Sequence, residues 1–272
     1  MFKTDNYKNK TVVITGGTKG IGLGITKAYL SLSAKVIILA RNKPKKLIQV
    51  KGNKALFYQC NVRDNANVEE VINELFKANK CIDVLINNAG GAPLINSLDA
   101  SMNFNNAIID LNLNSSFAVS YYVAKKMIKK SSGCVITNIS SVTATRPTPG
   151  SAAYGAAKGG LVNLTKTLAV EWAPRIRVNS IITGYIETEN SLVHYGSKKD
   201  MKAVAKTIPM KRMGTPEDIA NACIFLSSVN SSWITGTAIE VHGGGESPAY
   251  LNSAKPKSVS YTHLTLPTME LV

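Results

Sequence analysis

The chain is poor in several residue types, and each shortage excludes something. Among 272 residues there are 4 cysteines (Cys60, Cys81, Cys134 and Cys223), with no CxxC pair. Histidine is rarer still, at 3, and none stands at ligand spacing from a cysteine. A disulfide scaffold and a structural metal site are therefore not expected, and a reducing compartment, the cytoplasm, is. No run reaches the ~18 consecutive apolar residues of a membrane span, and the opening MFKTDNYKNK contains no signal-peptide apolar core. Acidic residues are also scarce, 17 against 32 Lys+Arg, for a net charge of +15. Such an excess points first to nucleic acid or an acidic membrane surface. Arginine argues against both: 26 of the basic residues are Lys and only 6 are Arg, beside 24 Asn. Lys and Asn share A/T-rich codons, so the excess reads as nucleotide bias. Arg, the side chain that reads bases and phosphates bidentately, is the one in short supply. Neither a nucleic-acid nor a membrane partner is expected.

What is present is a full complement of core. Hydrophobic residues make up 44% of the chain and charged ones 18%, enough for a globular fold. Short β-branched runs occur at 11–15, 35–40, 55–60, 83–86, 134–139, 176–182 and 238–241. They are apolar almost throughout, as parallel strands covered on both faces must be. Helix-period stretches lie between them at 67–77, 117–130 and 152–172. This alternation predicts an α/β fold with a doubly wound parallel sheet of about seven strands, in one domain over 1–258. The segment 259–268, VSYTHLTLPT, follows neither period. Read back through codons it resembles an adapter of transposase-based sequencing libraries, so 259–272 is expected to be a non-native tail, set aside from the fold.

The first strand runs into Gly16, Gly17, Thr18, Lys19, Gly20, Ile21 and Gly22, followed by a helical pattern through Leu30. Glycines there permit positive φ and let the backbone approach a pyrophosphate at a helix N-terminus, where free N–H groups and the dipole favour an anion. A glycine triplet alone is weak evidence, and a plain turn is the alternative. Its position between first strand and first helix strengthens it. The pattern is TGxxxGxG, on Thr15, Gly16, Gly20 and Gly22. Asn87, Asn88, Ala89 and Gly90 follow the fourth strand run, and Tyr154 and Lys158 form a YxxxK. In these motifs, ordered along residues 9–242, the chain resembles the short-chain dehydrogenase/reductase family.

That resemblance implies a Rossmann-type dinucleotide fold with a nicotinamide cofactor against Gly16, Thr18, Lys19, Gly20, Ile21, Gly22, Asn61, Val62, Asn88, Ala89 and Gly90. It also implies cofactor contacts from Tyr154, Lys158, Gly184, Ile186 and Thr188. Cofactor choice follows from charge at the end of the second strand. An acid there holds a ribose 2′-hydroxyl, whereas a base accepts a 2′-phosphate. This chain has Ala40, Arg41, Asn42 and Lys43, with Lys19 a second cation in the glycine loop, so NADP(H) is expected over NAD(H). Asn61 stands where many members have Asp, and Thr183-Gly184 replaces the usual Pro-Gly, which is expected to loosen that turn.

Carbonyl reduction needs a proton delivered to oxygen, and a tyrosine with pKa near ~10 is a poor donor-acceptor unless cations lower it. Lys158, four residues after Tyr154, falls on the same helix face and is expected to do so. The resemblance makes Tyr154 the general acid/base and Lys158 its electrostatic partner and a ribose ligand. Ser141, thirteen residues before Tyr154, would stabilise charge on the substrate oxygen; Ser140 is the competing serine. Asn112 matches the family asparagine that holds a water leading to Lys158, with Asn114 the weaker candidate. The bland readings are helix packing, a turn cap and a buried amide.

The implied function is an NADP-dependent oxidoreductase interconverting a ketone and a secondary alcohol. The leading substrate is a 3-oxoacyl thioester on acyl-carrier protein or CoA. A sugar, polyol or steroid-type alcohol, or a nonenzymatic NADP-binding sensor, remains open. Tyr185, Leu192, Val193, Tyr195, Met201 and Ile208, in and around a lid-like segment 187–207, suggest an apolar ligand portion. Lys125, Lys126, Lys129, Lys130 and Arg175 form a basic group that either docks an acidic carrier or is a solvated helix end. Family members are usually homotetramers, and the same is expected here.

Overall fold

A computed structural model describes residues 7–79, 81–129, 133–246, 248–249 and 253–254. The strands are β1 (Thr11–Thr15), β2 (Lys35–Ala40), β3 (Gln49–Val50), β4 (Asn53–Lys54), β5 (Leu56–Gln59), β6 (Val84–Asn87), β7 (Cys134–Ser141), β8 (Ile176–Thr183) and β9 (Ala238–Val241). Seven of them form one sheet in the order β5-β2-β1-β6-β7-β8-β9, every pair parallel. The helices are α1 (Gly20–Ser31), α2 (Asn65–Ala78), α3 (Met102–Ile109), α4 (Ser115–Met127), α5 (Ala152–Trp172), α6 (Ser191–Tyr195), α7 (Lys198–Thr207) and α8 (Pro216–Ser227). The expected doubly wound α/β architecture is present. The suspected tail, 259–272, lies outside the described residues.

Strand alternation explains the two-sided core. In β1, Val13 joins a cluster with Ile72 and Leu75 of α2, Val119 and Val123 of α4, and Leu168 of α5. Its neighbours Val12 and Ile14 point the other way, to Ile25 and Tyr29 of α1 and Ile219, Cys223 and Leu226 of α8. Successive side chains on a strand face opposite sides, so a strand buried on both must be apolar at every position. Tyr29 puts a hydroxyl into this core, and it is satisfied: the hydroxyl donates to the Cys223 carbonyl at 3.1 Å and shares a hydrogen bond with Ser227 Oγ at 2.7 Å.

Three elements differ from the sequence expectation. Residues 49–54 form an antiparallel hairpin, β3–β4, turned by Lys51 and Gly52 at φ 49° and 83°. A two-residue turn with both positions left-handed suits the twist of paired strands. The helix expected from 117 begins earlier, through α3, a π-helical turn at Asp110–Asn114, and then α4. Helix α8 carried a readable start signal: Thr215 caps it, Pro216 opens it, and Asp218 reaches back to the Thr215 N–H.

Helices α1 and α8 pack backbone to backbone at one point. A Cβ on Gly24 would lie 2.4 Å from Pro216 Cβ and 3.0 Å from its carbonyl carbon. Gly24→Ala must therefore push the helices apart. Overpacking of this kind costs about 1–3 kcal/mol, which outweighs the helix propensity that alanine adds. Urea unfolding should show a lower midpoint for the variant, and an equal or higher midpoint would contradict the close approach.

Candidate active site

Strands β1 and β6 are neighbours whose connections leave toward opposite faces of the sheet, which opens a crevice at their C-terminal ends. The glycine loop and the Asn-Asn-Ala-Gly turn are tied together there. Thr15 Oγ1 accepts from the Asn88 and Ala89 N–H groups at 2.9 and 3.0 Å. Asn88 Nδ2 donates back to the carbonyls of Thr15 and Gly16, at 3.0 and 3.3 Å. Gly16 is at φ 68°, and a Cβ on Gly22 would stand 2.3 Å from the Gly16 carbonyl oxygen. The loop thus folds back on the start of α1 with no space for side chains. It leaves the Gly20 N–H at the positive end of that helix, and this N–H donates to Glu189 Oε1 at 2.9 Å. A carboxylate already sits where the chemistry of the loop asks for an anion, so the residues present suit a pyrophosphate. Thr188, beside Glu189, overhangs the same place, its Cγ2 3.5 Å from a Cβ built on Gly20.

A second group converges where β7 ends. Ser141 closes β7, and Tyr154 and Lys158 come from the first turns of α5. Tyr154 keeps part of its surface open, yet the protein packed around the phenol pushes its pKa up. A hydrogen bond with Ser141 pulls it back part of the way. Lys158 is 3% exposed, and its Nζ donates to the Ile139 carbonyl at 2.8 Å. Burial lowers its pKa to about 8. The ammonium stands 5.6 Å from the Tyr154 ring centroid. Burial is the largest influence on the phenol and raises it, and the contribution that lowers it comes from Ser141.

Ser140 is excluded from the cluster, because its hydroxyl donates to the Lys158 carbonyl inside the core. Asn114 is also elsewhere, donating to Asp110 at 2.7 Å on the surface. Asn112, fully buried in the π-helical turn, donates to the carbonyls of Gly91 and Ile108 and accepts from the Gly91 N–H at 2.8 Å. Gly90 separates it from the lysine: a Cβ there would be 2.6 Å from Asn112 Oδ1 and 3.2 Å from Lys158 Nζ.

The comparisons agree with this geometry. The model of a family described as enoyl-(acyl carrier protein) reductase matches residues 16–246. The chain belongs to the short-chain dehydrogenase/reductase family. It is an oxidoreductase of that family, acting on CH–OH groups. It is 36% identical over 244 residues to the 3-oxoacyl-[acyl-carrier-protein] reductase of Chlamydia muridarum, covering 87% of this chain and 97% of that one. It is 35% identical over 251 residues to oxidoreductase UcpA of Salmonella typhimurium, covering 88% and 95%. Among solved structures, the ligand-free aldohexose dehydrogenase of Thermoplasma acidophilum matches with a TM-score of 0.81 at 32% identity, over 93% of this chain and 97% of that one.

The remaining short-chain dehydrogenase/reductase positions fall around the crevice. Lys19 is exposed at the N-cap of α1 and Arg41 just after β2, with Thr18 and Ile21 half-buried beside the loop. Asn61 is exposed, its Oδ1 accepting from the Arg63 N–H at 3.3 Å, while Val62 is buried. The turn without proline is anchored by Thr183, whose hydroxyl donates to the Ser140 carbonyl at 3.0 Å, and by the Gly184 N–H donating to Val241. Ile186 is buried and bridges to Gly214.

Of the six residues expected to present an apolar wall, two turn inward. Met201 and Ile208 are buried against Met213, and Leu192 and Val193 are exposed. Tyr185 and Tyr195 meet edge to face at 5.8 Å, and the Tyr185 hydroxyl accepts from Arg146. In the basic group, Lys125 and Lys126 lie in the last turn of α4 and Arg175 donates to the Ile128 carbonyl at 2.6 Å, as cations at a helix C-terminus do. Lys130 lies outside the described residues.

The sequence reading passed over Glu189, although it directly follows Thr188 in the loop assigned to the cofactor. Any dinucleotide phosphate must displace this carboxylate from Gly20. Glu189→Ala should tighten NADPH binding about 2–5-fold, the scale of one charge at a helix N-terminus. Titration of NADPH fluorescence reads this directly, and equal or weaker binding would contradict the competition.

Proposed function

We propose that the chain reduces a ketone to a secondary alcohol, or runs the reverse, with NADP(H) preferred over NAD(H). The leading substrate class is a 3-oxoacyl thioester on acyl-carrier protein or CoA. The observation that carries the reading is the convergence of Ser141, Tyr154 and Lys158 beside a glycine cradle suited to a dinucleotide. A bound nicotinamide supplies or accepts the hydride. Tyr154, kept protonated by its surroundings, donates the proton at the substrate oxygen. Ser141 orients the phenol through their hydrogen bond and offers its hydroxyl to the same oxygen. Lys158 sets positive potential beneath the site and would hold the cofactor ribose. Asn112 acts as a positioning residue, holding the Gly91 backbone and the π-helical turn around the lysine.

NADP(H) is favoured because Lys19, at the N-cap of α1, and Arg41, just after β2, are both exposed, and residues 40–43 contain no acid. Similarity to the Chlamydia reductase supports the thioester. Lys125, Lys126, Lys129 and Arg175 are the face offered to an acidic carrier, and the assembly proposed is a homotetramer. A second reading, a sugar or polyol, is favoured by the polar contact of Arg146 with Tyr185 and by similarity to the aldohexose dehydrogenase.

NADPH oxidation against a panel of 3-oxoacyl-CoA, sugar and steroid ketones tests the reading. Turnover should appear with at least one, with kcat/KM higher for NADPH than for NADH, and Tyr154→Phe should lose at least ~100-fold. Full activity in Tyr154→Phe would overturn the mechanism, and equal use of NADH would overturn the cofactor preference.

The pH dependence follows from Lys158. Its folded pKa of about 8 means the ammonium is present below that pH and lost above it, while the raised tyrosine keeps its proton. In the reductive direction kcat/KM should therefore be level below pH 8 and fall above it. A profile that stays level to pH 9.5 would separate the lysine charge from catalysis.

A further inference from the structure

Three distant parts of the chain meet in one polar cluster on the Tyr195 side of Tyr154. Arg146 follows the short helical turn at Val142–Ala144, Tyr185 follows β8, and Glu246 follows the glycine run after β9. The Arg146 guanidinium holds both carboxylate oxygens of Glu246 and donates through Nη2 to the Tyr185 hydroxyl at 2.9 Å. The same guanidinium lies 5.7 Å from the Tyr185 ring centroid. Tyr185 packs edge-on against Tyr195 of α6. The Tyr195 phenol, pushed up to about 12 chiefly by burial, also responds to the charges of Tyr185 and Tyr154. One pair of tyrosines therefore separates the proposed proton donor from the guanidinium.

This cluster is neither a surface pair nor a sealed one. The side chains of Arg146 and Glu246 keep 34% and 28% of their surface exposed, so an entering molecule meets them directly. A guanidinium carries five N–H donors. Three hydrogen bonds to Glu246 and Tyr185 leave Nε and one Nη1 hydrogen for another partner. The Glu246 carboxylate, which also takes a hydrogen bond from the Tyr185 hydroxyl, keeps a free lone pair on one oxygen. The pair is neutral overall, so it offers fixed donors and acceptors side by side without attracting an anion. Hydroxyl groups, which donate and accept at once, match such a surface. An aliphatic chain pressed against it would strip water from two charges and return no hydrogen bond.

We propose that Arg146, clamped by Glu246 and Tyr185, is a specificity-determining residue that reads hydroxyl groups on the substrate beyond the reacting carbonyl. Hydroxylated ketones are then taken in preference to aliphatic ketones of the same length. If the substrate is a thioester, its acyl end is short or hydroxylated. The inference rests on the reading of this cleft as a carbonyl-reducing site and sharpens its substrate class.

The test uses the full chain with NADPH and two four-carbon ketones, erythrulose and butan-2-one. The wild-type protein should favour erythrulose by at least 10-fold in kcat/KM. Arg146→Leu should erase that preference mainly through KM, leaving butan-2-one unchanged or improved, and Arg146→Lys should fall between. Glu246→Gln leaves the guanidinium uncompensated, so it should gain activity on a four-carbon keto acid that the wild type excludes. A wild-type preference for butan-2-one would overturn the proposal. So would an Arg146→Leu loss that is equal on both ketones, the result of a purely structural tie.

Failure of the broader reading looks different: neither ketone, nor any of the wider panel, is turned over while NADPH still binds. Thermal unfolding of the NADPH complex then decides the inference. A rise in Tm with erythrulose but not butan-2-one, absent in Arg146→Leu and reduced in Arg146→Lys, would support it. No erythrulose-dependent rise in the wild type would overturn it.

Discussion

An ammonium group held inside the protein is the constraint around which this molecule is arranged. Lys158 is almost wholly buried on α5, and taking a charge out of water costs several kcal/mol unless polar groups replace the lost hydration. The Ile139 carbonyl supplies one replacement directly. That carbonyl is available because the lysine reaches β7 near its C-terminal end. The rest of the neighbourhood gives the ammonium room: Gly90 has no side chain, and the π-helical turn brings Asn112 to the other side of that glycine. The lowered pKa measures how incomplete the compensation is. A lysine poised between charged and neutral is costly for a core and useful beside a tyrosine that must keep a proton.

The cofactor half and the substrate half of the cleft are built on different principles. The cofactor half is backbone: Gly16, Gly20 and Gly22 permit the close turn, and Thr15 and Asn88 latch it to the neighbouring strand. Such a site depends on main-chain geometry, and its motif is therefore compact in sequence. The half proposed for the substrate is made of side chains from the segments after β7, β8 and β9, joined by Arg146, Tyr185 and Glu246. Glu189 stands at the border of the two, carried by the lid segment yet bonded to the glycine loop. The lid segment is tied to the glycine loop through this contact.

Some of this was legible before any coordinates. The seven strand runs, the α5 limits, the glycine loop and the Asn-Asn-Ala-Gly turn each carry local signals: unbroken apolar runs, helical period, and glycine where only glycine fits. Choosing Ser141 over Ser140 from spacing agrees with the structure, which turns Ser140 into the core. Elsewhere, local signals failed. The π-helical turn leaves no mark in hydrophobic period, so the helix was read only from 117 and α3 was not read at all. Met201 and Ile208 look like pocket lining because they are apolar and close to the lid, but they bury one another beside Met213.

The sequence alone therefore determined the family, the parallel sheet and the motifs that converge at the end of β7, because each rests on short-range pattern or on a motif within a few residues. It also carried the absence of an acid after β2, since charge at one position needs no coordinates to be read. Only the tertiary structure decided how those residues act on one another. The tyrosine pKa is raised rather than lowered because burial is a property of everything packed around it. The polar cluster beside Tyr185 exists because Arg146 and Glu246, 100 residues apart, meet there. No local pattern encodes such a meeting; it follows from where three strand ends deliver their loops.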